Sequence, residues 1–284
     1  MPSLDTDDLA AALSAACLVD LPTQVSEMGG GLFILIDPML GDPILHASLD
    51  TTTKPDTLND LRSDAWSRPT HALRLPPGIN LHGHQAPYLV ELTGSTDPWL
   101  PTSIEWAVHE TVQSWTSPAE QASPHRIGGW IQSASFGTQL AEHMSAWLRL
   151  RTQIPTHARY LRLADRRVLG LTAHVIGSEV FARHLGRVQH WHWLDAHAAW
   201  RTLSATRAAT NSDATFASFT ANQWDCMRQG EVVHEIIARN AAKKAQNCPD
   251  TPTVAWEAVS PIQWQTALSM SAAPSSDLIK QFAS

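Results

Sequence analysis

Residues 29–38 read Gly29-Gly30-Gly31-Leu32-Phe33-Ile34-Leu35-Ile36-Asp37-Pro38. A glycine break leads into five consecutive apolar residues, rich in β-formers, that stop at Asp-Pro. That is the pattern of a strand buried on both faces. Downstream, Ala86-Pro87-Tyr88-Leu89-Val90-Glu91-Leu92 reads as a second strand, with Pro87 suited to its first residues. Thr102 and Glu105 have capping-box spacing ahead of a helix whose Ile104, Val108, Thr111, Val112 and Trp115 share one face. Gly129-Trp130-Ile131-Gln132 reads as a strand. Ser133 or Ser135 is then expected to cap a helix with Leu140, Met144, Trp147, Leu148 and Arg151 along one stripe.

Ala158–Leu163 alternates, with Leu161 and Leu163 inward and Tyr160 outward. Asp165 follows, placed to N-cap a helix carrying Val168, Leu171, Thr172 and Val175. Arg187–Leu194 alternates again and is expected to pair with Ala198–Leu203 as a hairpin. Upstream of the glycine break, residues 4–16 carry an alanine-rich helical pattern. From about residue 205 the character changes to a polar linker (residues 204–213) and then helices. Val232, Val233, Ile236 and Ile237 share a face, and Ser260-Pro261-Ile262-Gln263 places Ser at the N-cap, Pro at N1 and Gln at N3. The expected fold is α/β (α+β): an N-terminal mixed-sheet lobe followed by a smaller helical lobe. Its boundaries are a helical segment at 1–24, the α/β lobe at 25–205 and the helical lobe at 206–284.

Composition narrows the function classes. The 284 residues are 43% apolar and 17% charged, with a net charge of −7. That excludes intrinsic disorder and argues against a general nucleic-acid binder. No apolar run approaches the ~20 residues of a membrane helix. The start, MPSLDTDDLAAAL, is acidic where an export signal is basic. Cys17, Cys226 and Cys248 lie far apart, without a CxxC pair, as in a reducing compartment. A cytoplasmic protein is expected. Twelve tryptophans stand against two tyrosines; Trp is enriched in interface hot spots but also fills cores.

Catalytic patterns fall short. Ser133-Ala134-Ser135-Phe136-Gly137 sits between strand and helix like a G-x-S-x-G nucleophile elbow, but Ser133 replaces the first glycine. A serine there reads more simply as a helix cap. His82-Gly83-His84 and the His190–His197 stretch invite a metal. The second stretch misses the H-x-H-x-D-H spacing of binuclear hydrolases, since Asp195 falls one position late and His197 two. His190 and His192, at period two, line one face of a strand. His109-Glu110 and His234-Glu235 lack the second histidine of H-E-x-x-H. Neither a phosphate-binding loop nor a dinucleotide fingerprint is present. No catalytic residue, cofactor or metal is assigned.

In order, these segments resemble the family of type VI secretion effector chaperones, also called adaptors. The resemblance rests on Leu32–Asp37; on Ala86–Leu92, similar to the family's APYLV-L strand; and on Gly129–Ser133 leading into a helix with a central His143. Arg162–Leu169 is similar to R-[FY]-x-D-P-R-V-L, with Arg166 in place of Pro and Leu163 in place of the aromatic. The Trp-rich segment Val188–Trp193, ahead of Trp200, resembles a later family segment. The likeness spans about residues 31–205. It implies a non-enzymatic protein that binds a secreted toxin effector and helps load it onto the spike. The implied partners are the effector and, further, the valine-glycine repeat spike protein, with neither nucleic acid nor membrane. The signature positions, and so the candidates for partner contact, are Asp37, Tyr88, Ser133, His143, Asp165, Arg167, Trp191 and Trp193. The rival reading is a serine or metal-dependent hydrolase using the Ser133/Ser135 turn or the His190–His197 cluster. In the turn, Asp165 is expected to cap the helix and Arg167 to hold a carboxylate such as Asp37 in a bidentate pair.

Overall fold

The computed structural model describes residues 6–26, 30–45, 54–116, 125–151, 158–206, 219–247 and 259–271. The apolar run after the glycine break forms β1 (Gly31–Ile36), an inner strand of a six-stranded sheet. Around it lie β2 (Thr70–Ala72), β3 (Tyr88–Leu92), β4 (Ile127–Ser133), β7 (His190–Leu194) and β8 (Trp200–Ser204), in the order β2-β3-β1-β4-β7-β8. Helix α1 (Thr6–Ser26) precedes the sheet. Helices α2 (Pro55–Trp66), α3 (Trp99–Thr116), α4 (Gly137–Ser145), α5 (Arg166–Ile176) and α6 (Ser178–Arg183) connect the strands. A two-stranded ribbon, β5 (Arg149–Arg151) with β6 (Ala158–Tyr160), lies between α4 and α5. Helices α7 (Ala221–Arg228), α8 (Gly230–Asn247) and α9 (Pro261–Ser271) follow β8, so the α/β class and the helical C-terminal stretch are as expected.

The sheet is not mixed. Every strand pairing among the described residues is antiparallel. The α3 crossover does join two parallel strands, β3 and β4, but β1 is inserted between them and runs against both. Alternating strands and helices in the sequence therefore suggested neighbours that the topology separates.

Alternation along β1 feeds two cores. Phe33 and Leu35 pack with Ile131, Trp191 and Leu203 under α4, α5 and α6. Leu32, Ile34 and Ile36 pack with Tyr88, Val90 and Trp130 under α1 and α3. A third cluster joins Leu171 of α5 to Val233, Ile236 and Ile237 of α8 and Trp264 and Leu268 of α9. Val232, expected on the same face, is exposed.

Several local expectations hold. Asp165 caps α5 by accepting from Arg167 N–H. Ser260 and Gln263 form the predicted box at α9, each side chain accepting from the other's backbone N–H. The β7–β8 hairpin forms with His190 opposite Ser204. Others are corrected. Helix α3 begins at Trp99, so Thr102 lies inside it and its hydroxyl donates to Pro98 O. Asp97 takes over the start, accepting from Trp99 N–H. Phe136, not Ser133 or Ser135, stands at the N-cap of α4. Arg151, placed on the α4 stripe, belongs to β5 because the helix ends at Ser145. Most of the linker, like Cys248, lies outside the described residues.

Candidate functional site

The end of β1, the start of β4 and the first turn of α5 meet in an ionic cluster. Asp37, fully buried, closes β1 and accepts from Met39 N–H. Arg162 Nε donates to its Oδ2 at 2.6 Å. Three residues on, Asp165 faces the same guanidinium at 3.6 Å. Arg167 clamps Asp165 through two bonds, Nε to Oδ1 at 3.0 Å and Nη2 to Oδ2 at 2.7 Å. The expected Arg167–Asp37 pair is thus corrected: Arg167 folds back on its own cap residue, and Arg162 takes Asp37. In this turn Asp165 is only 1% accessible.

A third arginine completes the corner. Arg166, buried, donates to Ala107 O at 2.6 Å, Thr111 Oγ1 at 2.7 Å, Ile127 O at 3.1 Å and Glu110 Oε2 at 3.2 Å. Glu110 also accepts from Arg126, through its backbone N–H and its Nε. Arg166 therefore ties α5 to α3 and β4. Its partners lie 39 to 59 residues upstream, and nothing local announces them. The spacing test dismissed Glu110 as a zinc motif; its place beside Ala107 and Thr111 on a buried helix face was the available signal.

The surroundings shift these groups in opposite directions. Burial raises Asp37 to about 6 against the opposing pull of Arg162. Burial alone would raise Asp165 too, but the Arg167 guanidinium outweighs it and holds that carboxyl well below the usual range. Nearby, desolvation pushes down buried His125, helped by Arg166 and Arg167, and half-buried His234, helped by Arg167, the latter to about 4.

The other signature residues are not drawn into this cluster. Tyr88 donates to Asp42 at 2.9 Å, accepts from Trp66 Nε1 at 3.1 Å, and lies under Arg62, whose guanidinium carbon is 3.9 Å from the ring centroid. Ser133, fully buried, donates to Arg187 O and accepts from Ser135 N–H. His143 Nε2 faces Leu185 O at 3.0 Å and the ring packs edge-on against Trp147. Trp191 stacks on Trp147 in the core, and Trp193 is buried at the same face. His190 and His192 line one face of β7, against Ser204 Oγ and Thr202 Oγ1 at 2.9 Å each. Asp195 accepts from the backbone N–H groups of His197, Ala199 and Val259. Among the described residues, no three His, Cys, Asp or Glu side chains are placed to share a metal ion. No helix there is long and apolar enough to cross a membrane.

No curated protein and no solved structure matches the chain. Residues 45–183, the stretch from before α2 to the end of α6 and so the home of Tyr88, Ser133, His143, Asp165 and Arg167, match the family described as Domain of unknown function (DUF4123).

Proposed function

We propose that the protein is a non-enzymatic adaptor that binds a type VI secretion effector and helps load it onto the secretion spike. The observation that carries this reading is the coincidence of two spans. The family match over residues 45–183 falls within the stretch whose ordered motifs resemble the effector chaperones. The chemistry of the side chains agrees. Asp37 is held by Arg162, and Asp165 by Arg167 and Arg162, which suits a frame that presents a binding surface. The hydroxyl of Ser133 is committed to the Arg187 carbonyl, and His190 and His192 to hydroxyls of β8.

Deleting the gene tests the reading against the hydrolase. Secretion of the toxin encoded beside it is expected to stop while other substrates of the same apparatus are still exported. Unchanged secretion, together with ester turnover by the pure protein that Ser133→Ala or Ser135→Ala abolishes, would overturn it.

A further inference from the structure

Among the described residues, β8 is the outermost strand of the sheet and no strand pairs with its outer edge. Two bonds flanking the hairpin set its parity: Asp195 N–H donates to Ala199 O, and Ala205 N–H to Gln189 O. In an antiparallel pair the bonded positions alternate, so Arg201 and Leu203 turn their backbone groups toward β7. Trp200, Thr202 and Ser204 turn theirs outward. Thr202 and Ser204 are exposed and Trp200 partly so.

Beside this edge runs a groove of about 540 Å³, walled by the α5–α6 corner at Gly177 and by Pro261 and Trp264 of α9. Trp193 and Arg201 line it from one face of the sheet, Trp200 and Thr202 from the other, so the groove passes over the open edge itself. Trp193 is 4% exposed, and its indole Nε1 has no hydrogen-bond partner among the described residues. It lies in the groove floor below Gly170, where a Cβ would stand 3.8 Å from it and 3.5 Å from Trp264. Among the described residues, Arg201 is the one Lys or Arg lining the groove. Its Nη2 donates to Val259 O at 3.2 Å and its Nε stands 3.8 Å from Asp195, whose oxygens already hold three backbone N–H groups, while its side chain remains 38% exposed.

We propose that the β8 edge and this groove bind an extended peptide segment that carries an aromatic or large apolar side chain beside an acidic one. The segment adds a strand along Trp200–Ser204, its main chain pairing with the outward groups of Trp200, Thr202 and Ser204. Its apolar side chain enters between Trp200 and Trp264. A carbonyl reaches Trp193 Nε1, and the carboxylate meets Arg201. The open ladder supplies affinity, and the indole donor with the single cation supplies selectivity. The segment belongs to the effector, an identification that rests on the adaptor reading; the site itself does not.

The test pans random dodecapeptides displayed on phage against the full chain. Recovered peptides are expected to pair an acidic residue with an aromatic one and to protect the amides of Trp200, Thr202 and Ser204 from exchange. Thr202→Pro removes one outward N–H that β7 does not use, at an edge position where proline is tolerated. Binding is expected to weaken about tenfold, the scale of one lost hydrogen bond. Thr202→Val, which loses the contact to His192 but keeps the N–H, is expected to bind as the parent does. Arg201→Gln is expected to weaken acidic peptides and leave their amide analogues unchanged. Failure to recover any peptide, equal binding by Thr202→Pro, or protection elsewhere would overturn the proposal. Peptides that bind here while toxin secretion proves independent of the protein would uphold the site and remove only the partner's identity.

Discussion

Asp165 does two jobs with one carboxylate: it caps α5 and neutralises Arg167. An N-cap alone is worth ~0.5–2 kcal/mol, whereas stripping a buried ion of its partner costs ~3–5 kcal/mol. Asp165→Ala is therefore expected to lose ~3 kcal/mol or more in urea denaturation. Asp165→Asn, which keeps the cap and sheds the charge, is expected to fall between it and the parent. Equal and small losses for both would mean that the Arg167 clamp contributes nothing. The arginine next to it calls for a cycle. Arg166→Met and Glu110→Gln are each expected to destabilise by ~2–4 kcal/mol, and the double variant by clearly less than their sum, because each alone strands a buried partner. Strict additivity would dissolve the proposed pair. The cap was legible in the sequence because it is a contact between residues 165 and 167. The Arg166 network was not, because its partners are Ala107, Glu110 and Thr111 on another helix.

Between elements, the decisive device is a bulge in β4. Leu35 faces Gly129 and Ile36 faces Ile127, which leaves Gly128 over. A Cβ on Gly128 would stand 2.3 Å from the carbonyl oxygen of Ala164, so this glycine lets the Asp165 turn approach the sheet. Gly129, at φ +137°, admits the His192 carbonyl in the same way. Both clashes are with backbone, which does not swing aside. Gly128→Ala is expected to destabilise by ~2 kcal/mol or more in a thermal melt, and more than Gly83→Ala, where nothing lies within 4 Å. A neutral Gly128→Ala would show that the turn is not seated by this contact. The start of α9 and the β7–β8 hairpin were readable because their signals are local. The start of α3 was not: Asp97 competes with Thr102 for it, and wins by also holding Arg68 at 2.7 Å and the Thr93 N–H. Likewise the expected mixed sheet is antiparallel, since nothing in β3–α3–β4 shows that β1 will occupy the slot between the two strands.

At the scale of the whole molecule, buried charge sets the response to acid. His192 and His234 are depressed to about 4, chiefly by burial, and His125 is lowered as well. A base with a folded pKa below its unfolded value of 6.5 binds fewer protons when folded. Its stability is complete above 6.5 and is lost as the pH falls toward 4. Asp37 acts in the opposite sense, contributing below about pH 4 and losing that contribution as the pH rises through 6. Asp165, held low by Arg167, loses its contribution only below pH 4. His234→Phe, packed like the histidine edge-on against Trp264, isolates one term. Relative to the parent it is expected to gain at most about 1.4 kcal/mol per pH unit between 6.5 and 4. Parallel stability profiles would contradict the assignment. The most direct measurement of the adaptor reading is co-purification of the full chain, co-expressed with the effector it is proposed to carry, through affinity capture and size exclusion. The adaptor account predicts a single complex of fixed stoichiometry that survives both steps and is lost when an unrelated toxin is substituted. Two separate peaks, with the toxin soluble and active in the absence of this protein, would contradict it.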